Sequence, residues 1–177
     1  MIKLFFDYIF ILVFSPIIIV MMIFISTLIA IFMGRPIFYL QERVGLNKKV
    51  FTIIKFRTMN KIKNSNLNYV DTSMDLQRIT VLGKFLRSTS LDELPEILNV
   101  LKRDMSLVGP RPLLKEYLEL YSKRQLQRHN VLPGITGLAQ IRGRNTIDWE
   151  KRFNLDLIYI KKRSVLFDLK IIIITFL

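Results

Sequence analysis

The chain has 177 residues, of which 51% are hydrophobic, and its 27 Lys and Arg against 14 Asp and Glu give a formal net charge of +13. It has no cysteine and one histidine, His129, which excludes disulfides, thiol nucleophiles and metal centres built from several histidines or cysteines. A metal ion would need carboxylate ligands, which favours a hard ion such as Mg²⁺.

A chain that is both hydrophobic and basic is typical of proteins that bind anionic membrane lipids, because positive segments beside an apolar span are attracted to their headgroups. Nucleic acid is the rival partner for such a charge. It would give the hydrophobicity no role, so we expect no nucleic acid among the partners.

The segment from Tyr8 to Met33 contains no charged residue and exceeds the roughly 20 residues that cross a bilayer as a helix. The run is too long for a signal peptide. Ser15 and Pro16 lie inside it, and a proline kinks a helix. Two topologies stay open: a kinked spanning helix, and a re-entrant helix that enters and leaves on one face. Basic residues at both ends, Lys3 and Arg35, do not distinguish them.

The segment from Val50 to Met59 alternates as a strand does, which places Phe51, Ile53, Lys55 and Arg57 on one face. Two cations beside apolar residues indicate either the edge of a phosphate site or a basic face on lipid headgroups.

Ser90 and Glu93 have the spacing of a capping box, which predicts a helix that starts at Ser90. Asp92 and Glu93 would lie in its first turn, where the helix dipole favours ionised carboxylates. Acids are common in first turns for that reason alone, so the pattern by itself does not identify a catalytic pair. The spacing also predicts a buried stripe made of Leu94, Ile97, Leu98 and Leu101.

Two turns offer further anion-binding groups. Prolines on both sides stiffen the turn at Arg111, whose guanidinium suits a phosphate or a carboxylate. Gly143 opens the polar turn that contains Arg144, and glycine lets backbone N–H groups approach an anion closely.

The remaining chain is predicted as a polar loop over 60–77, a helix over 113–128, a turn over 133–137 and a short strand over 138–141. The C-terminal segment, 161–177, is basic and then apolar, which is typical of a segment at the membrane interface.

Several of these motifs, taken in order, resemble the bacterial sugar transferase family, the monotopic phosphoglycosyl transferases. The motifs are Gln41-Glu42-Arg43-x-Gly45, Lys55-Phe56-Arg57-Thr58-Met59, Ser90-Leu91-Asp92-Glu93-Leu94-Pro95, the run from Asn99 to Pro112, Pro133-Gly134-Ile135-Thr136-Gly137 and Gly143-Arg144-Asn145. The resemblance extends from about Lys3 to Thr175, and the length resembles that of the small members that consist of a catalytic core. The likeness is greatest to the enzymes that start bacillosamine-type glycan assembly.

The resemblance implies a Mg²⁺-dependent transfer of a sugar 1-phosphate from a UDP-sugar to undecaprenyl phosphate, with release of UMP. This would be the first membrane step in the synthesis of a glycan, capsule or O-antigen. Asp92 would carry the covalent phosphosugar, and Glu93 would help to hold Mg²⁺. The family's basic motif residues surround the phosphates, and they match Lys55, Arg57, Arg87, Arg111 and Arg144.

The implied fold is α+β, with a re-entrant membrane helix over 1–34 that breaks at Ser15-Pro16. A small, mainly helical cytoplasmic domain over 35–177 would have short strands and interfacial amphipathic helices. The protein would be monotopic, on the cytoplasmic face of the bacterial inner membrane, in contact with membrane lipids.

Two positions depart from the family pattern: Leu132 stands where arginine is expected, and Arg103 where glycine is usual. The missing extra N-terminal membrane helices favour an N-acetylated amino sugar as donor over the UDP-galactose or UDP-glucose of larger relatives. A basic, membrane-anchored binding protein without activity would explain the charge and hydrophobicity, but not the motifs.

Overall fold

The computed structural model describes residues 2–60, 78–143 and 146–176, and its fold is α+β, as predicted. The expected loop therefore lies outside the described residues apart from Asn60, and so does Arg144. The helices are α1 (Ile2–Met33), α2 (Val81–Ser88), α3 (Ile97–Leu101), α4 (Leu138–Ile141), α5 (Trp149–Lys162) and α6 (Val165–Phe176). The strands are β1 (Phe38–Val44), β2 (Val50–Phe56), β3 (Ser106–Val108) and β4 (Gly134–Thr136), and four short 3-10 helices cover Leu46–Lys48, Leu91–Glu96, Lys115–Leu120 and Gln125–Asn130.

The strands form two small sheets. β1 pairs with β2, and β3 pairs in parallel with β4, with Ser106 opposite Gly134. The predicted alternation in β2 is confirmed for Phe51 and Ile53, which are both buried.

By its contacts the chain divides into two compact units. The first unit, called unit 1 here, consists of residues 1–14, 41–53 and 96–177. Its core packs residues from α1, β2, β3 and the two C-terminal helices, among them Ile11, Phe51, Val108, Tyr159 and Ile171. The N-terminal turns of α1 are therefore part of the core that the C-terminal half of the chain builds.

Unit 2 consists of residues 15–40 and 54–95. Its core contains Ile25 and Ile29 from α1, Phe56 from β2 and Leu86 from α2. Phe38 stacks on Phe56 with 5.6 Å between the ring centroids. This unit carries Lys55, Arg57, Arg87, Asp92 and Glu93, five of the predicted site residues.

The predicted apolar helix is present as α1, which contains Pro16. Within the described residues, it alone is long and apolar enough to cross a membrane, with a mean hydropathy of 2.9. Only 11% of its most apolar window is buried, so most side chains of that window face the surroundings, as those of a lipid-embedded helix do. The division between the two units falls on α1 between Phe14 and Ser15. The re-entrant topology and the domain boundary after residue 34 stay predictions.

Three local predictions are wrong. The helix predicted over 113–128 is two 3-10 helices, because Ser122 and Gln125 exchange side-chain hydrogen bonds with each other's backbone N–H and start a new turn. The turn predicted over 133–137 contains β4, which owes its conformation to pairing with the distant β3. The short strand predicted over 138–141 is the single helical turn α4, closed by Ile141 N donating to Gly137 O at 3.1 Å.

Candidate active site

Asp92 and Glu93 lie in the first turn of the 3-10 helix Leu91–Glu96, which continues into α3. The predicted capping box is wrong in detail. Ser90 has a positive φ of 58°, whereas an N-cap residue is extended. The backbone makes the turn instead, with Glu93 N donating to Ser90 O at 3.2 Å.

The predicted buried stripe is also wrong, because the side chains of Leu98 and Leu101 are 38% and 48% exposed. The buried residues of this segment are instead Pro95, Glu96, Asn99 and Val100. Residues 91–96 form a 3-10 helix, which has three residues per turn. A buried face predicted from the α-helical spacing of 3.6 residues, counted from Leu94, is therefore not the face that is buried.

Glu93 forms an ion pair with Lys55, whose Nζ lies 2.7 Å from Glu93 Oε1. Both side chains are largely enclosed, with 16% and 15% exposure. An enclosed pair of this kind holds its geometry better than an exposed one, because solvent screens it less. The pair fixes a cation from the end of β2 beside the Asp-Glu segment.

Asp92 lies half-buried in a mixed electrostatic environment. Burial raises the pKa of its carboxyl above the ordinary value, and the negative charge of Glu93 raises it further. The charges of Lys55 and Arg87 act in the opposite direction. The structure thus brings two carboxylates and two of the predicted cations together within unit 2.

Arg87 is presented by α2, the helix that Thr80 caps by accepting from Gly83 N at 2.9 Å. Arg87 is exposed, and its Nε donates to Thr58 Oγ1 at 2.9 Å. Gly83 lets α2 approach this segment closely, since a Cβ at that position would lie 1.9 Å from Thr58 O. The packing of α2 on the residues after β2 therefore determines the position of the exposed Arg87 guanidinium.

Arg57 has a different environment from the other predicted phosphate ligands. It is 7% exposed, and its Nη2 donates to the main-chain carbonyls of Met33 and Gly34. These carbonyls end α1, so Arg57 satisfies acceptors that a helix C-terminus leaves open. Its side chain therefore fixes the C-terminal end of α1.

Arg111 belongs to unit 1, and its main chain is held by a residue that the sequence did not single out. Arg128 Nη2 donates to Arg111 O at 2.7 Å and forms an ion pair with Asp156 Oδ2 at 2.9 Å. Tyr121 OH accepts from Arg128 Nη1 at 3.1 Å. Arg128 and Asp156 are 3% and 2% exposed, so this pair positions the turn that carries Arg111. No sequence signal marked it, because the partners are 28 residues apart.

The same turn is locked to β4 through glycines. Gly109 N donates to Thr136 O at 2.9 Å, and Gly134 N donates to Pro110 O at 3.0 Å. A Cβ at Gly134 would lie 2.0 Å from Gly109 N, and one at Gly137 would lie 2.2 Å from Gly109 O. The two backbone segments lie too close together for a side chain at these positions, so glycine is required. The two motif turns are therefore held to each other by direct backbone hydrogen bonds.

His129 is buried, and its Nδ1 lies 3.1 Å from Gly45 O, which identifies Nδ1 as the protonated nitrogen. Burial lowers the pKa of His129 to about 4, and the neighbouring positive charge of Arg128 adds to the effect. A neutral, enclosed imidazole with a main-chain acceptor has a structural role.

The carboxylates fit a hard divalent ion held mainly by its substrate. No cluster of three or more Asp, Glu or His side chains that could hold a metal occurs among residues 2–60, 78–143 and 146–176. Mg²⁺ commonly binds through one or two carboxylates plus water and substrate phosphates. Glu93 would supply such a carboxylate ligand for the predicted ion.

The comparison with known proteins decides the family. A model of the family described as "Bacterial sugar transferase" matches residues 1–177. The chain belongs to the bacterial sugar transferase family.

This sugar transferase is 49% identical over 156 residues to the sugar transferase EpsL of Bacillus subtilis, covering 88% of this chain and 76% of EpsL. It is 43% identical over 169 residues to the UDP-glucose:undecaprenyl-phosphate glucose-1-phosphate transferase of Klebsiella pneumoniae, covering 91% of this chain and 35% of that enzyme. It is 39% identical over 153 residues to the undecaprenyl-phosphate galactose phosphotransferase of Salmonella typhimurium, covering 78% of this chain and 32% of that enzyme. The chain thus spans about three quarters of EpsL and about one third of the two larger relatives.

Proposed function

We propose that this sugar transferase moves a sugar 1-phosphate from a UDP-sugar to undecaprenyl phosphate and releases UMP. The observation that carries the proposal is the half-buried Asp92 beside Glu93, Lys55 and Arg87, in a chain similar to enzymes named for this reaction. The product would be the first membrane-bound intermediate of a polysaccharide or other glycan.

In the proposed first step, a carboxylate oxygen of Asp92 forms a bond to the β-phosphorus of the UDP-sugar, and the bond from that phosphorus to the UMP oxygen breaks. In the second step, a phosphate oxygen of the lipid attacks the same phosphorus, and the Asp92 carboxylate leaves. Two displacements allow the soluble donor product to depart before the lipid reacts.

The repulsion between a carboxylate and a diphosphate must be offset for this attack. Lys55 and Arg87 supply positive charge next to Asp92, and we propose that Arg111 and Arg144 contact the phosphates as well. Mg²⁺, when bound through Glu93, would neutralise phosphate charge. The ion pair of Glu93 with Lys55 holds both groups in place before substrate binds.

The donor sugar has two candidates. The likeness to enzymes of bacillosamine-type assembly favours an N-acetylated amino sugar. The relatives named for glucose and galactose favour a hexose. A screen of UDP-sugars of both kinds for UMP release, with Mg²⁺ and undecaprenyl phosphate present, separates the two.

We also propose that α1 is re-entrant and that the protein is monotopic on the cytoplasmic face of the inner membrane. Three hydrogen bonds within unit 1 support this topology. Lys3 Nζ donates to Val108 O at 2.9 Å and to Tyr159 OH at 2.8 Å, and Ser106 Oγ donates to Asp7 Oδ2 at 2.6 Å. The N-terminal turns of α1 are thereby fixed to the part of the chain that follows the apolar segment, which supports a helix whose two ends lie on the same face of the membrane.

The covalent mechanism is tested by a burst experiment. Enzyme mixed with UDP-sugar in the absence of lipid should release UMP in an amount equal to the active enzyme, and label at the β-phosphate should remain on the Asp92 peptide. Asp92→Asn should abolish both the burst and turnover, because an amide does not attack phosphorus. UMP release that requires the lipid acceptor, with no trapped label, would mean direct transfer between substrates.

A further inference from the structure

A cavity of ≈ 250 Å³ lies in unit 1, whereas Asp92 and Glu93 belong to unit 2. Four segments line the cavity: the first turn of α1, the residues after β1, the residues around the end of the 3-10 helix Gln125–Asn130, and the end of α5. Its wall is apolar and consists of Leu4, Leu46, Val131 and Leu132. Leu132 is the position where the family pattern leads us to expect arginine, so an apolar side chain stands there in place of a cation.

The polar side of the cavity is lined by Lys3, Asn130, Tyr159 and Arg163, which include two cations and no carboxylate. Lys3 forms an ion pair with Asp168, which offsets its charge. Arg163 is exposed, and its side chain makes no ion pair or hydrogen bond with the parts of the chain that the structure describes. The cavity therefore combines an apolar wall with one positive charge that forms no ion pair with an acidic side chain among the described residues.

The size of the cavity limits its ligand. Sites for drug-sized molecules and cofactors measure roughly 300–1,000 Å³, so ≈ 250 Å³ is too small for a nucleotide sugar. A phosphate group with a few attached methylenes fits this volume, and its charge and chain match the two sides of the cavity.

The surroundings of Arg163 indicate where such a ligand comes from. Lys161 and Lys162 precede it, and α6 follows with an exposed apolar side on which Leu166, Leu169 and Ile173 are 80%, 39% and 53% exposed. The opposite side of α6 is buried in unit 1. A basic run joined to an exposed apolar helix face is typical of a segment on an anionic bilayer.

We propose that this cavity binds the phosphate and the first methylenes of an anionic phospholipid, with Arg163 contacting the phosphate and Leu132 contacting the chain. This lipid would be a resident ligand of unit 1 and would take no part in the transfer. Undecaprenyl phosphate has the same chemistry, a phosphate on an apolar chain, and is the alternative source.

The test measures lipid binding to the full chain in detergent by native mass spectrometry, with phosphatidylglycerol, phosphatidylcholine and undecaprenyl phosphate. We expect phosphatidylglycerol to be retained over phosphatidylcholine. Arg163→Gln should weaken its binding on the order of tenfold, because a charge-assisted contact is lost. Leu132→Trp, which fills the cavity, should weaken it as well. Lys162→Gln is the matched control, since it removes a neighbouring charge outside the cavity lining, and should change binding less than twofold.

Displacement of phosphatidylglycerol by undecaprenyl phosphate at equal concentration would identify the acceptor lipid as the occupant and overturn the phospholipid assignment. Equal losses in Arg163→Gln and Lys162→Gln would show a general surface charge effect and overturn the site itself. Retained binding in both Arg163→Gln and Leu132→Trp would also overturn it. Because binding is measured without turnover, these outcomes are independent of whether the proposed transferase reaction is correct.

Discussion

At the scale of single residues, Asp92 combines a proposed catalytic role with a cost in stability. A carboxyl whose pKa is raised on folding stabilises the fold when it is protonated, and this contribution is lost as the pH rises from the unfolded toward the folded pKa. Above its raised pKa, the ionised Asp92 therefore destabilises unit 2, through burial and through repulsion from Glu93.

Asp92→Asn is thus expected to raise the unfolding temperature at pH 7 by roughly 1–3 °C, while activity is lost. The gain should shrink as the pH falls toward 3.8, the ordinary value of the carboxyl, because wild-type Asp92 is then protonated too. Thermal unfolding in detergent at several pH values measures this. Glu119→Gln, which removes an exposed carboxylate, is the control and should change little. A lower unfolding temperature for Asp92→Asn at pH 7 would contradict the prediction.

His129 makes the stability depend on pH in the opposite sense. Its pKa is lowered from 6.5 to about 4 on folding, so between these values the unfolded chain binds the additional proton. The contribution of His129 is present above pH 6.5 and is lost as the pH falls toward 4. It amounts to about 1–3 kcal/mol.

We expect His129→Gln to be less stable than wild type at pH 7, because it disturbs a buried contact, and to lose less stability between pH 7 and pH 4.5. Denaturant unfolding of both proteins at the two pH values gives the comparison. Parallel pH profiles for wild type and variant would show that His129 does not titrate in this range.

At the scale of elements, the approach of α2 to Thr58 determines where Arg87 lies. In an open helix, Gly83→Ala would stabilise by about 1 kcal/mol through helix propensity. Here the added Cβ would lie 1.9 Å from Thr58 O. Because Thr58 O is a backbone atom, it cannot move away as a flexible side chain would. We expect a destabilisation of roughly 1–3 kcal/mol and a loss of activity, because Arg87 moves with its helix.

Lys84→Ala is the matched control for Gly83→Ala, since Lys84 is the next residue of α2 and is exposed. Its unfolding free energy should stay within about 0.5 kcal/mol of wild type. Denaturant unfolding and UMP release from the same preparations test both variants. A Gly83→Ala protein more stable than wild type would show that α2 lies farther from Thr58 than the contacts indicate.

At the scale of the whole molecule, the prediction concerns membrane topology. The chain has no cysteine, so single cysteines introduced as Ile2→Cys and Lys49→Cys report without background. Both positions are exposed. If α1 is re-entrant, an impermeant thiol reagent should label neither site in intact cells and both after permeabilisation.

Labelling of Ile2→Cys from outside, with Lys49→Cys protected, would show that α1 spans the membrane. Pro16→Leu provides a further check, because removal of the proline from mid-helix should shift a fraction of the molecules toward a spanning form.

Local pattern and motif order were enough to predict several features of this protein. The apolar segment, the strand β2 and the family follow from composition, alternation and the order of the motifs. The sequence also placed Asp92 and Glu93 together in a first helical turn, because neighbours in sequence stay neighbours in any helix. The left-handed backbone at Arg103, with φ 64°, agrees with the glycine that the family pattern leads us to expect there.

Only the tertiary structure decided which partner each charged side chain has. From the sequence, Lys55 and Arg57 were equivalent cations on one face, yet Lys55 pairs with Glu93 while Arg57 binds the carbonyls that end α1. The role of Arg128 and the conversion of a predicted turn into β4 likewise depend on contacts between distant segments. The physical reason is that the energy of a charge or of an unpaired backbone group depends on its burial and on its partners in distant segments. The spacing of residues in the sequence carries no information on either.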